Sequence, residues 1–523
     1  MTSSTPMLAV YDFRSKQEFI YRTNRMREIT GASELIAGMY KKLLSPSTAG
    51  LKIRNDWDKP NPMPLFHDDG TPALADDEEG AVVYEGGGNL LVLYRNWQTY
   101  LAANKSFSRR VIEESYSLCM IVGGVEWEHS PDSSKTSSFE WNRTRAYEQL
   151  DRCKRIGDAS VPCNVLPYTQ VDRTSFQPIV KKDDKDYGDI TEEGLRKRRA
   201  FDALPEDRKN EGKFIDDLGT EHGKDSLIAV LYFDGNSIGE RVKSAVEEGV
   251  AQGLSDIDAM RRFSIDLHRK LVDNTRDAMI DAINRAAREH GNKFGGQRII
   301  IDHGDEITLI CNAHAAPFAL DAYFSKLQGT GYHACGGVAF CHTHDPFAEV
   351  YRIAEECCES GKKANRSIQR NAMEGLMGKE ALRASREADE NYIDMHFCRS
   401  GITGTLEQIR DAQEAEFTAR PYQVESSYAT FLRVGEALAH SKISRSDIKQ
   451  LNRSILRGES WYILEYERLK AKDPNLFDEI EWLAGEREDA KRILFDVSSL
   501  YDVYDLRFGC KDRCFSGETK EDA

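Results

Sequence analysis

Between Ile299 and Cys311 the chain reads IIIDHGDEITLIC, an apolar run, a short acidic turn and a second apolar run. Apolar β-formers on both sides of a polar turn predict two central strands joined as a hairpin. Carboxylates anchored between buried strands need a cation, because an unpaired buried charge is expensive. Asp305 and Glu306 are therefore metal-site candidates, and the rest of the chain must supply their partners.

The surrounding segment, residues 226–364, follows a β-α-β-β-α-β order. Leu227 to Phe233 (LIAVLYF) is an apolar run of buried-strand length. Residues from about Ile238 to His290 carry Ile257, Met260, Phe263, Leu267 and Leu271 at helical spacing. The acidic hairpin follows, then a helix with Pro317 in its first turn and an end near Leu327. His333 to His342 (HACGGVAFCH) reads as a strand, and Phe347 to Lys363 as a closing helix. That order predicts a ferredoxin-like, or palm, domain.

The N-terminal part repeats the plan. Tyr84 to Leu93 (YEGGGNLLVL) aligns without a gap on Ile301 to Ile310 (IDHGDEITLI). In both places a helix follows (Trp97 to about Ser117 in the first), then a strand containing Gly-Gly-Val (Gly123 to Val125, Gly336 to Val338) and a further helix. The shared order argues for duplication. Where the second copy has Asp305 and Glu306, the first has Gly88 and Asn89. The first copy lacks the charge to hold a divalent cation and suits structure or a second ligand.

The expected class is α+β: two ferredoxin-like palm domains, the first degenerate and the second metal-binding, with a C-terminal helical bundle. The boundaries read as 1–159 for the degenerate palm, 160–225 for a charged connector, 226–370 for the catalytic palm and 371–523 for the helical domain. Leu451, Ile455, Trp461 and Leu464 are read as apolar positions of that bundle. The last residues, from about Ser516, read as a frayed tail.

Composition narrows the class further. The 523 residues are 40% hydrophobic and 30% charged, enough apolar material for several cores. No stretch approaches the roughly 18 apolar residues of a membrane span, and no signal pattern opens the chain, so a cytoplasmic protein is expected. Eleven scattered cysteines, an odd count, fit reduced thiols. Cys510 and Cys514 are spaced C-x3-C and Cys153 and Cys163 lie further apart; without paired C-x2-C sets a structural zinc is not expected. The formal charge of −16 argues against broad nucleic-acid binding. The densest basic run, Arg196 to Arg199, reads as a solvated helix face in the connector.

The chemistry gathers around Phe233 to Gly239 (FDGNSIG), at the end of the first strand of the second palm. In this sheet order that strand lies beside one arm of the hairpin, so Asp234 can approach Asp305. Two carboxylates, helped by a backbone carbonyl near Gly235, can hold one or two Mg²⁺ or Mn²⁺ ions through hard oxygen ligands. Such ions bridge nucleotide phosphates and offset charge on a leaving pyrophosphate. Taken alone, Asp234 is equally a turn-opener and helix cap. Lys362 and Lys363 can reach a triphosphate, or simply favour a helix C-terminus.

The FDGNSIG turn, the Gly304-Asp305-Glu306 hairpin and the helix from Ala354 and Glu355 to Lys362 resemble the palm shared by GGDEF diguanylate cyclases and the large polymerase subunit of type III CRISPR effectors. The opening segment, Phe19 to Tyr21 followed by NRMREITGASELI with Arg25, Arg27 and Gly31 to Glu34, is similar to the start of the CRISPR polymerase's first palm. The degenerate turn Gly86 to Asn89 also resembles that palm's hairpin. The resemblance covers about residues 7–155 and 226–366. It implies that Asp234, Asp305 and Glu306 bind metal and are catalytic. It further implies that Gly235, Asn236, Ser237, His303, Gly304, Lys362 and Lys363 contact the nucleotide.

The implied partners are ATP or another nucleoside triphosphate, with a homodimer or CRISPR effector subunits beyond it. The CRISPR family makes cyclic oligoadenylates from ATP, and GGDEF enzymes make cyclic diguanylate. His303 departs from the usual first glycine of the turn. The nearest candidate for a nuclease dipeptide, His67-Asp68, lies in a polar loop without matching histidines, and the zinc cysteine pairs between the palms are absent. A reduced, stand-alone relative is the expectation. The competing reading is a non-catalytic nucleotide-binding or ribonucleoprotein subunit, and a cyclic AMP-forming cyclase is the third.

Overall fold

The computed structural model describes residues 5–45, 50–59, 62–67, 73–86, 88–131, 137–156, 168–184, 188–205, 218, 227–291, 296–398, 404–414, 417–485 and 487–509. Cys163, Cys510, Cys514 and the expected tail from Ser516 lie outside these residues. The chain divides into two compact units. The first comprises Met1–Lys213, Ser237–Arg269 and His303–Asp305, and the second Phe214–Asn236, Lys270–Asp302 and Glu306–Ala523.

The sheet of the first unit holds β1 (Met7–Arg14), β2 (Ile53–Arg54), β3 (Gly80–Gly86), β4 (Asn89–Tyr94) and β5 (Cys119–Glu126), in the order β2-β3-β4-β1-β5. Strand β1 is antiparallel to both β4 and β5, as the ferredoxin-like order requires. It is central, so Leu8, Ala9, Val10 and Tyr11 are all fully buried and the strand reads as a continuous apolar run.

Helix Ser138–Ile156 packs on one face of this sheet, with Ala146 and Leu150 in a cluster that includes Leu8, Val10, Val83 and Leu93. Ile257 and Met260 complete the cluster. They lie on helix Asp256–Leu267, which follows the second palm's first strand in sequence but belongs to the first unit. Arg261 of the same helix donates to the carbonyls of Val83 (2.7 Å) and Val82 (3.1 Å), where a register shift in the β3–β4 ladder leaves acceptors to satisfy.

The connector is more structured than its composition suggests. Among the described residues of 160–225, β6 (Ile179–Asp184) pairs with β7 (Gly188–Thr191), and helix Glu192–Asp202 follows. The basic run on that helix corrects the expectation of a solvated face: Lys197 is fully buried and Arg198 nearly so. Lys197 Nζ bonds Glu193 Oε1 at 2.5 Å, donates to the Phe19 carbonyl and lies 4.2 Å from the Phe19 ring centroid. Glu193 also takes Arg22 at 2.6 Å. Ion pairing with an acid one turn away, invisible to a count of like charges, is what permits the burial. Gly31 of the opening segment is where this helix crosses Met26–Ala37, for a Cβ there would stand 1.8 Å from the Lys197 carbonyl oxygen.

In the second unit the strands are β8 (Leu227–Gly235), β9 (Arg298–His303), β10 (Glu306–Asn312), β11 (Ala334–His342), β12 (Tyr392–Phe397) and β13 (Tyr422–Gln423). Their order is β13-β12-β11-β8-β10-β9, with β8 antiparallel to β10 and β11. The first four strands thus have the expected ferredoxin-like arrangement. Helix Ala316–Leu327 packs on one face, stacking Tyr323 on Phe233 with centroids 3.9 Å apart. Helix Phe347–Ala372 packs on the other, so closely at Gly337 that a Cβ would lie 1.9 Å from the Ala354 carbonyl oxygen.

Two expectations change beyond residue 371. The segment is not helical throughout, because β12 extends the palm sheet in parallel to β11 and β13 pairs with β12. Strand β12 was hidden because Asp394 and His396 interrupt its apolar pattern. Asp394 is fully buried and held by Arg410 Nη1 and Nη2, both at 2.7 Å. Trp461 and Leu464 are 52% and 64% exposed, not part of the bundle's core. Helix Glu459–Lys472 buries Tyr462, Tyr466 and Leu469, a stripe that turns the other two outward. Leu451 and Ile455 are buried as expected. No helix among the described residues is long and apolar enough to cross a membrane.

Candidate metal and nucleotide site

Asp234 stands at the end of β8 directly opposite Glu306 at the start of β10. Side chains opposite one another in an antiparallel ladder share a face, with Cβ atoms about 4.5–5.5 Å apart. Two carboxylates so placed repel unless a cation intervenes. In this structure the cation is the ammonium of Lys362, 2.5 Å from Asp234 Oδ2 and 3.3 Å from the Gly235 carbonyl oxygen. Burial works to deprotonate Lys362, but the Asp234 carboxylate outweighs it and holds the lysine above its ordinary pKa. Helix Phe347–Ala372 continues nine residues past Lys363, so neither lysine serves as a C-terminal cap charge. Lys363 is exposed on the helix surface and takes no part in the pair.

The same face carries Tyr232, two residues before Asp234, and Tyr351 of the helix, with ring centroids 5.7 Å apart. Tyr351 Oη donates to Glu306 Oε1 at 3.2 Å. The Tyr232 hydroxyl is pushed far above its ordinary pKa by burial first, then by Glu306, Asp234 and Glu355. A cavity of about 260 Å³ opens here, lined by Tyr232, Asp234, Arg352, Glu355, Glu356, Cys358, Glu359 and Lys362. Its four acids outnumber its two bases, and Arg352 is already paired with Glu356 at 2.5 Å. The surplus is negative, as a cation site requires.

The remaining candidates take distinct positions. Asn236 is buried; its side chain donates to the Glu390 carbonyl at 2.9 Å and Asp389 Oδ1 at 3.2 Å. Ser237 adopts a left-handed backbone with φ of 54° and opens helix Ile238–Ala251. His303 ends β9, Gly304 takes a positive φ of 68° in the hairpin turn, and Asp305 is the second turn residue. Ser237 and the turn residues His303–Asp305 group with the first unit. The geometry within the second unit is therefore that of Asp234, Gly235, Asn236, Glu306 and Lys362.

The hard-oxygen donor set fits Mg²⁺ or Mn²⁺. Among the described residues no three His, Cys, Asp or Glu side chains converge as a complete cage. Two carboxylates and the Gly235 carbonyl match an ion that keeps several waters and completes its shell with nucleotide phosphates.

The degenerate palm repeats half of this arrangement. Asp12 of β1 occupies the place of Asp234: it is opposite Ile121 of β5, as Asp234 is opposite Cys335 of β11. Lys154, on the helix after β5, bonds Asp12 Oδ2 at 2.9 Å. The helices match residue for residue, since a Cβ on Gly123 would lie 2.1 Å from the Ala146 carbonyl oxygen, as one on Gly337 would meet Ala354. The true equivalent of Gly123 is thus Gly337, one place off the superposition of the two Gly-Gly-Val triplets. What differs is the hairpin side. Lys16 lies 2.6 Å from Asp12 Oδ1 and donates to the Gly88 carbonyl at 3.1 Å, which also accepts from Tyr40 Oη at 2.9 Å. A second ammonium here neutralises the carboxylate that faces Glu306 in the other palm.

Sequence reasoning missed Tyr232, Tyr351, Asn365 and Asp389, and the paired Asp12, Lys16 and Lys154. Only Asp12 carried a signal, an acid closing an apolar strand run as Asp234 does.

No family model matches the chain, and no curated protein matches it. Solved structures with a related course include a Csm1–Csm4 cassette in complex with cA3 (13% identity, 96% of this chain and 70% of that chain, TM-score 0.49). Others are the same cassette with cA4 (13%, 96% and 70%, TM-score 0.48) and Csm1 of T. onnurineus (13%, 97% and 70%, TM-score 0.47).

Proposed function

We propose that the chain is a Mg²⁺- or Mn²⁺-dependent nucleotidyltransferase that joins ATP molecules into a cyclic di- or oligonucleotide messenger, in the manner of type III CRISPR polymerase subunits acting in antiviral defence. The observation that carries this reading is the placement of Asp234 opposite Glu306, with Lys362 bonded to Asp234 at the cavity. Two facing acids, one of them bonded to a lysine beside a cavity whose acids outnumber its bases, suit a metal–triphosphate complex.

Asp234, Glu306 and, by motif, Asp305 would hold the ion. The bound ion would neutralise the triphosphate and the departing pyrophosphate. Lys362 would leave Asp234 for a phosphate oxygen as the ion arrives, so one positive charge is exchanged for another at the carboxylate. Gly235 would bring backbone without side-chain bulk near the nucleotide, while Gly304 and Ser237 are assigned to it by motif alone. Asn236 would act through the turn it fixes, while His303 replaces the usual glycine beside the base or phosphate. The reading also carries CRISPR effector subunits or a second copy as partners, in keeping with the Csm1–Csm4 assemblies.

Incubating the protein with each nucleoside triphosphate and Mg²⁺ or Mn²⁺, with products resolved by mass spectrometry, tests the reading. A cyclic product from ATP is expected. Nucleotide binding without turnover by any triphosphate would instead establish the non-catalytic alternative.

A further inference from the structure

We propose that Asp389 is a positioning residue for the site described above, holding the turn after Asp234 and the helix of Lys362 in register with one another. The inference rests on the nucleotidyltransferase reading. Asp389 lies in the segment before β12, and its carboxylate is 1% exposed. One oxygen, Oδ1, accepts from two amides, Asn365 Nδ2 at 2.8 Å and Asn236 Nδ2 at 3.2 Å. Asn236 follows Asp234 by two residues, just past the end of β8, and Asn365 follows Lys362 by three on helix Phe347–Ala372. A single buried acceptor therefore bonds both elements from which the Asp234–Lys362 pair, 2.5 Å apart, is built.

The neighbouring backbone completes the clamp. Asn236 Nδ2 also donates to the Glu390 carbonyl at 2.9 Å, and the Glu390 amide donates to Asn365 Oδ1 at 3.1 Å. The Asn236 backbone amide donates to the His333 carbonyl at 2.9 Å. The helix passes close to this segment at Gly361, the residue before Lys362, where an added Cβ would stand 3.0 Å from that of Tyr392 at the start of β12. Asn236, Asn365 and Asp389 are all buried. A buried amide that loses its acceptor is costly to leave in place, so truncating Asp389 makes turn and helix shift to satisfy their donors.

What the clamp sets is the spacing across the site. The Gly235 carbonyl, next in the chain to Asn236, is 3.3 Å from Lys362 Nζ. Asp389 does not line the cavity and acts only through Asn236 and Asn365. A displacement of about 1 Å at a metal ligand or a phosphate-binding lysine is enough to slow transfer about 100-fold. Because the carboxylate serves as an acceptor, an amide oxygen in the same place can accept the same two bonds.

The test compares the full-length parent with Asp389→Ala, Asp389→Asn and Leu451→Ala, the last a truncation of a buried side chain among the C-terminal helices. Titration calorimetry reads Mn²⁺ affinity in the presence of a non-hydrolysable ATP analogue, and product analysis reads turnover of ATP with Mn²⁺, both well below each variant's melting temperature. Asp389→Ala is expected to lose about 10- to 100-fold in both, as groups that orient a metal ligand do. Asp389→Asn is expected to recover most of the loss, and Leu451→Ala to melt early with parent affinity and turnover. Should Asp389→Ala fail to fold, Asn365→Ala takes its place, since it releases the helix alone. Parent-like values in the Ala variant, an Asp389→Asn as impaired as Asp389→Ala, or an equal loss in Leu451→Ala would overturn the role of Asp389 and leave the nucleotidyltransferase reading intact. A parent that turns over no triphosphate would overturn both.

Discussion

Lys154 meets Asp12 at 2.9 Å in the first unit as Lys362 meets Asp234 at 2.5 Å in the second. The pair therefore recurs in both sheets, whether or not an acid faces it. The copies part company across the hairpin, where one presents Glu306 and the other Asn89 with Lys16 nearby. A carboxylate facing an acid invites a divalent ion; a carboxylate facing a lysine has no further need of one.

Removing any one of the three acids proposed to hold the ion should abolish product formation and spare the fold. Asp234→Asn, Glu306→Gln and Asp305→Ala are each expected to lower cyclic product from ATP by at least about 100-fold, with melting temperatures near the parent's. Product analysis beside a thermal melt checks this. Parent-like yield from Asp305→Ala would remove that residue from the ligand set.

Lys362→Met should separate the two halves of the charge exchange. Without its ammonium, Asp234 and Glu306 repel, so Mn²⁺ should bind more tightly in the absence of nucleotide. ATP affinity should fall about tenfold, the loss of roughly 1.4 kcal/mol of charge-assisted bonding. Titration calorimetry with each ligand alone reads both changes.

Gly337→Ala and Gly123→Ala should destabilise their units comparably, for a Cβ at either would stand about 2 Å from a helix carbonyl, at 1.9 and 2.1 Å. Backbone cannot yield as a side-chain tip can, and a cost of about 1–3 kcal/mol is expected, visible in denaturant melts.

The second unit should lose stability in mild acid through His396. Burial pushes this imidazole down to about 4, with Glu414 opposing and Arg410 and Arg420 assisting. The unfolded chain takes up the proton near pH 6.5 while the folded chain resists until about pH 4. Stability is therefore full above about pH 6.5, falls through that window by up to about 3 kcal/mol, and levels off below it. His396→Gln should flatten the slope in melts measured across pH.

Both β-α-β-β-α-β frames and the hairpin were legible because buried strands announce themselves as apolar runs and topology sets their neighbours, but the register was not: Asp234 was expected beside Asp305, and the ladder sets it opposite Glu306. Less visible was whatever depends on pairing. Lys197, Asp394 and Asp389 look like surface residues until the partner that holds each is known: Glu193 one turn away, Arg410, and the amide of Asn236. Strand β12 was lost for the same reason, and Trp461 was misplaced because helical spacing alone does not say which of two adjacent stripes faces inward.

Ile257 and Met260 sit in the first unit's core although the chain reaches them only after it has laid down β8. A fragment ending before residue 226 would thus lack two residues of its own interior, and one beginning there would carry a helix with no home. The two units are interleaved along the chain, so no single cut in the sequence separates them.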